Sequence, residues 1–140
     1  MISDLSRARP LVAIVDDEES IRKSLRRLLM AADLDALVYA SGQEFLDAIR
    51  ERQPDCLVLD LQMPGLTGLE VQRALTAAGV RFPTIIITAH DEPEARARCI
   101  SAGVAAYLCK PLHDEMLLDA ITNVMGRVAA AAAAEDLPRV

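Results

Sequence analysis

Five apolar runs recur along the chain, each followed by a stretch with helical spacing. The runs are Leu11–Val15, Ala36–Tyr39, Cys56–Asp60, Thr84–Thr88 and Ala105–Cys109. Several are continuously apolar and rich in Val, Ile and Leu, the pattern of strands covered on both faces of a parallel sheet. Between them, Ile21, Leu25, Leu28 and Leu29 share one face of a first helix. Ser41-Gly42-Gln43-Glu44 and Thr67-Gly68-Leu69-Glu70 read as capping boxes. Phe45 with Ile49, and Val71 with Leu75, supply the apolar faces that follow. Asp91-Glu92-Pro93-Glu94 opens a fourth helix that Gly103 stops. Asp114 and Glu115 open a fifth, with Leu117, Ile121, Val124 and Met125 facing inward.

The alternation predicts an α/β domain, a doubly wound (βα)5 unit of flavodoxin-like type. Its five-stranded parallel sheet takes the order 2-1-3-4-5, with right-handed crossovers placing helices on both faces. In that order the topological reversal lies between strands 1 and 3, and ligands bind there, outside the carboxyl ends of the strands. Strand 1 ends in Asp16-Asp17 and strand 3 in Asp60. Topology and carboxylates thus point independently to one place.

The chain has 140 residues, 52% of them hydrophobic, enough for one domain with a core that needs no disulfide or structural metal. Its net charge of -6 argues against tight binding to nucleic acid or anionic membrane. The three cysteines, Cys56, Cys99 and Cys109, show no C-x-x-C spacing, and two lie in apolar runs. That suits a reducing, cytoplasmic setting. Met1–Pro10 carries Asp4, Arg7 and Arg9 and is expected to be an N-terminal extension rather than a signal peptide. No apolar stretch is long enough to span a membrane. After a domain over residues 11–127, the alanine-rich segment 128–140 either prolongs the fifth helix or forms a linker.

A nucleotide or flavin site at this crevice wants glycines and hydroxyls after strand 1. The chain offers Asp16-Asp17-Glu18-Glu19 instead, which repels phosphate unless a cation intervenes. Magnesium suits the place, being hard and content with one or two carboxylates, waters and a phosphate oxygen. There is no Cys/His spacing for zinc. Alone, Asp16-Asp17 reads equally as a turn and helix cap, and Asp60 as a cap for the Pro64-Gly65 turn. Together they gain a chemical meaning: a carboxylate can attack a phosphoryl group and hold it as an acyl phosphate. Lys110, ending strand 5, can supply the neutralising cation, and Thr88, ending strand 4, a hydroxyl.

With these residues in order, the chain resembles a response-regulator receiver domain. The matching segments are Val15-Asp16-Asp17-Glu18, Asp60-Leu61-Gln62-Met63-Pro64-Gly65, Thr88-Ala89 and Lys110-Pro111. The resemblance runs from about Leu11 to Met125, and Gly65-Leu66-Thr67-Gly68-Leu69-Glu70 looks closest to the FixJ-like branch. It implies a phosphorylation-switched module of a two-component system that takes phosphate from a sensor histidine kinase or phosphotransfer protein. Asp60 would be the phosphoacceptor. Asp17, Asp60 and the Gln62 backbone carbonyl would ligate Mg2+, with Asp16 acting through a metal-bound water. Thr88 and Lys110 would grip the phosphoryl oxygens, and the Lys110-Pro111 peptide would be cis. Tyr107 matches the family's switch aromatic, its alternative being a half-buried strand tyrosine. Gln62 and His90 flank the phosphoryl position and would modulate its hydrolysis, although His90 reads equally as an exposed loop residue. Leu112 stands where the family often has phenylalanine.

The family does not act as an enzyme on other substrates; it catalyses only its own phosphorylation and dephosphorylation. A haloacid-dehalogenase-like phosphatase also uses an aspartyl phosphate, but it has a second aspartate where this chain has Gln62. Output would pass through the surface of helix 4, strand 5 and helix 5, to a partner or an output domain, with a homodimer through helix 4 and strand 5 as one form. Nothing helix-turn-helix-like follows Met125, so DNA binding by these residues is not expected. The chain is either a stand-alone receiver or part of a longer regulator.

Overall fold

The structure, a computed structural model, describes residues 9–136, with side-chain surroundings described as far as Gly126. Residues 1–8 of the expected N-terminal extension and 137–140 of the alanine-rich segment lie outside the described residues. The elements alternate as β1 (Leu11–Val15), α1 (Glu19–Ala31), β2 (Asp35–Tyr39), α2 (Gly42–Ala48), β3 (Cys56–Asp60), α3 (Gly68–Ala77), β4 (Thr84–Thr88), α4 (Pro93–Ser101), β5 (Ala106–Cys109) and α5 (Asp114–Asp136). All strand pairings are parallel, and the order is β2-β1-β3-β4-β5, as the alternation of runs predicts.

The three central strands, β1, β3 and β4, are buried at every position. β2 and β5 form the edges and are only partly covered. Two strand starts differ from the apolar pattern by one residue. β2 begins at Asp35, whose N–H bonds to the Pro10 carbonyl at 2.9 Å and sets the Leu11–Asp35 register. β5 begins at Ala106, although Ala105 N–H still bonds to the Thr84 carbonyl at 2.8 Å.

Side chains alternate across the sheet with period two and fill two separate cores. Val12, Ile14, Val58, Ile85 and Ile87 pack with Leu25, Leu29, Leu117 and Ile121 beneath α1 and α5. Ala13, Val15, Leu57, Leu59 and Ile86 pack with Phe45, Val71, Leu75 and Cys99 beneath α2, α3 and α4. Leu112, the departure at the last loop, packs against the α1–α5 core.

Caps hold the helix entries at the functional edge. Thr67 and Glu70 form a reciprocal capping box at α3, with bonds of 3.2 and 2.9 Å. Ser41 closes only half of one at α2, accepting the Glu44 N–H at 3.1 Å. α1 has no side-chain cap from Glu18; its turn is held instead by Asp16. Gly68 matters for a different reason: a Cβ there would lie 2.5 Å from the Asp60 carbonyl oxygen, so only glycine lets α3 start this close to the end of β3.

Candidate functional site

Parallel strands that all end on one edge deliver their next residues to one shallow crevice. Asp60 follows Leu59 at the buried end of β3 and is 4% exposed; Asp16 follows Val15 and is 0% exposed. Asp17, the next residue, is exposed. One carboxylate oxygen from each of Asp16, Asp17 and Asp60 lies within 4.8 Å of the others, the only such acidic, histidine or cysteine group among the described residues. Lys110, one residue beyond β5, reaches into this group. Its Nζ stands 2.8 Å from Asp16 Oδ2 and 3.5 Å from Asp60 Oδ2.

Local backbone bonds fix the carboxylates. Asp16 Oδ1 accepts the Glu18 N–H at 2.9 Å, and Asp60 Oδ1 accepts the Gln62 N–H at 3.4 Å. Asp16 therefore performs the turn role as well as joining the cluster. Arg22, six residues on, donates from Nη1 to the Asp16 carbonyl at 2.8 Å and ties α1 to the same loop. Sequence reasoning missed Arg22 and Gly68. The available signals were a cation one helical turn inside α1 and a glycine at the first position of α3.

The charges are crowded. Burial pushes the Asp60 carboxyl up to about 6, Asp16 and to a smaller extent Asp17 push the same way, and Lys110 and the Gln62 N–H only partly oppose them. Burial alone would lower the Lys110 ammonium, but its hydrogen bond to Asp16 and the nearby carboxylates outweigh this, and its pKa is raised. Three carboxylates face one ammonium, so with all ionised two negative charges stay uncompensated. An all-oxygen donor set with that excess fits a hard divalent cation and not a soft one.

The remaining predicted residues sit farther round the edge. Thr88 is fully buried at the end of β4, and its hydroxyl is engaged with its own loop. It donates to the His90 carbonyl and accepts the His90 N–H, both at 3.1 Å. Tyr107 lies on β5, half-buried against the α2–α4 core, with Arg96 of α4 over its ring at 5.4 Å. Its hydroxyl is buried without a protein partner among the described residues. Gln62 and His90 are both exposed on the loops that follow β3 and β4. The Lys110-Pro111 peptide is cis. The structure thus gathers Asp16, Asp17, Asp60 and Lys110 into one cluster, while Thr88, Tyr107 and His90 engage α4 and the loop before it.

The chain is similar to known proteins in sequence and in fold. The family profile described as the response regulator receiver domain matches residues 12–122. Nodulation protein W of Bradyrhizobium diazoefficiens is 34% identical over 119 residues, which cover 85% of this chain and 52% of that protein. Among solved structures, a response regulator receiver protein from Burkholderia phymatum is 44% identical, with a TM-score of 0.75 over 84% of this chain and 96% of its own. The crystal structure of FixJ-N is 30% identical, with a TM-score of 0.77 over 94% of this chain and 98% of its own. The chain spans about half the length of the curated relatives it matches. Among the described residues, no helix is long and apolar enough to cross a membrane.

Proposed function

The chain belongs to the response regulator receiver domain family, and we propose that it works as a phosphorylation switch with Asp60 as its phosphoacceptor. The observation that carries the reading is the meeting of Asp16, Asp17, Asp60 and Lys110 at the ends of three strands. An Asp60 carboxylate oxygen attacks the phosphorus of a phosphohistidine on a sensor kinase or phosphotransfer protein. A new P–O bond forms, the P–N bond breaks, and the imidazole leaves with the electron pair. With an ordinary carboxyl pKa raised only to about 6, Asp60 is mostly ionised at neutral pH and is available as nucleophile.

Asp17, Asp60 and the Gln62 carbonyl would hold Mg2+, with Asp16 acting through a water, and the ion would neutralise the phosphoryl oxygens. Lys110 supplies the second cation. Its ammonium already spans Asp16 and Asp60, and it turns to a phosphoryl oxygen by a small change of partner. Thr88 offers its hydroxyl only after leaving the His90 backbone, which frees the loop into α4. Tyr107, under Arg96, follows, and the surface of α4, β5 and α5 changes. Moving such an equilibrium from 1:99 to 99:1 takes about 5.5 kcal/mol of differential interaction. The output is a protein partner, a second copy meeting at α4 and β5, or an output domain; exposed Gln62 and His90 set how readily water reaches the acyl phosphate. Catalysis is confined to this self-modification, and the setting is cytoplasmic.

The test is incubation with acetyl phosphate and Mg2+ followed by intact mass. A gain of about 80 Da, one phosphoryl group, is expected for the wild type and none for Asp60→Asn. No gain in the wild type, under conditions that label a control receiver, contradicts the proposal.

A further inference from the structure

The trough between α3 and α4 lies away from the carboxylate crevice and has its own chemistry. Two cavities of about 420 and 540 Å3 run along it and share Thr76 and Ala102. Ala77 on one side, with Ala97 and Ser101 on the other, keeps the walls low, so another backbone can approach closely. Arg73 stands on the α3 wall, Arg98 on the α4 wall and Arg81 at one end. No lining residue of either cavity is acidic, in a chain whose net charge is -6.

The three arginines are exposed, and no ion pair engages them among the described residues. On α1, Lys23 pairs with Glu19 at 2.8 Å and Arg22 is spent on the Asp16 carbonyl; Arg26 and Arg27 are exposed and lack an ion pair among the described residues, but they line neither cavity. At the base of the trough Gln72 is only 8% exposed. Its Nε2 donates to the Ala102 carbonyl at 3.5 Å, while Oε1 is buried with no protein partner. Leu75 and Phe82 give the same cavity an apolar floor.

One small anion would satisfy one guanidinium and leave the others repelling each other. A long polyanion would carry its overhanging phosphates across an acidic protein. What matches arginines on both walls and at one end, over an apolar floor, is a short segment with spaced carboxylates and an apolar side. We infer that the α3–α4 trough docks an acidic amphipathic helix of a protein partner. Its carboxylates pair with Arg73, Arg98 and Arg81, and an apolar side chain enters above Leu75 and Phe82.

The probe is a capped helical peptide of about 16 alanine, leucine and glutamate residues, long enough to hold some helix, with a lysine-for-glutamate version as control. Amide chemical shifts of the isotope-labelled chain are followed during titration. Changes centred on Arg73, Ala77, Ala97 and Arg98 are expected, with a Kd below about 1 mM. The paired change Arg73→Glu and Arg98→Glu should weaken binding by roughly tenfold or more, and Arg73→Gln with Arg98→Gln by less. Labelling by acetyl phosphate should be unchanged in both, which separates a lost trough from a lost fold. The inference is overturned by shifts centred on α1, by no shifts at millimolar peptide, by unchanged affinity in the charge-reversed variant, or by duplex DNA binding the trough more tightly than the peptide.

Discussion

Two neighbouring corners of the same sheet edge are built in opposite ways. Strand alternation sends Asp60 to the side of Val58, over the α1–α5 core, and Asp16 and Lys110 continue that side from Ile14 and Leu108. It sends Thr88 and Tyr107 to the other side, with Ile86 and the α2–α4 core. The first corner is locked, with buried carboxylates held by backbone N–H groups and one ammonium. The second is held by interchangeable contacts: a hydroxyl bonded twice to its own loop, and an aromatic ring lying under an exposed arginine. The locked corner concentrates charge, and the loosely held one can rearrange at small cost. The proposed function, reaction at one point and change of shape at another, calls for both.

The sharpest way to break the contrast is Lys110→Met. It leaves Asp16 fully buried without its cation and should cost about 3–5 kcal/mol in urea unfolding at neutral pH. A loss near zero would mean the corner is not locked by charge.

Asp60→Asn should act in the opposite direction. Asp60 binds a proton more readily in the folded chain than in the unfolded one, because its pKa rises from 3.8 to about 6. Its favourable contribution is therefore complete below the unfolded value and is lost as pH rises through about 6. At about 1.4 kcal/mol per pH unit, the metal-free protein loses up to about 3 kcal/mol on this account between acid and neutral pH. The asparagine variant escapes that loss. In the presence of a chelator at pH 7 it should be more stable than wild type by about 1–3 kcal/mol, a gap that shrinks towards pH 4. Equal stability at both pH values would contradict the crowding of charge.

Thr88→Val removes both bonds to His90 and should cost about 1 kcal/mol, with faster amide exchange confined to the loop before α4. Arg96→Ala should cost only about 0.5–1 kcal/mol, and its main sign should be a changed Tyr107 ring environment by NMR. If either variant unfolded the chain as deeply as Lys110→Met, the two corners would not differ as described.

The locked corner is also the more legible one in the sequence. Apolar runs mark β1 and β3, and they place Asp16-Asp17 just beyond the end of β1 and Asp60 at the last position of β3 whatever the side-chain rotamers. The edge-strand starts at Asp35 and Ala106 are less legible, because strand partners distant in the chain settle them. Three features could not be read at all. Lys110 stands closer to Asp16 than to Asp60, the Thr88 hydroxyl turns to its own loop, and Arg22 clasps the Asp16 carbonyl. Each depends on a side-chain direction chosen by tertiary packing, which periodicity does not encode.

Asp60, the locked carboxylate, is the group we propose to accept phosphate. Acetyl phosphate labelling in Mg2+, trapping with borohydride and peptide mapping test it directly, because reduction converts an aspartyl phosphate to homoserine. Conversion at Asp60, with Asp16 and Asp17 intact and no conversion when Mg2+ is chelated, is the predicted result. Conversion at Asp16 or Asp17, or equal conversion without metal, would contradict it.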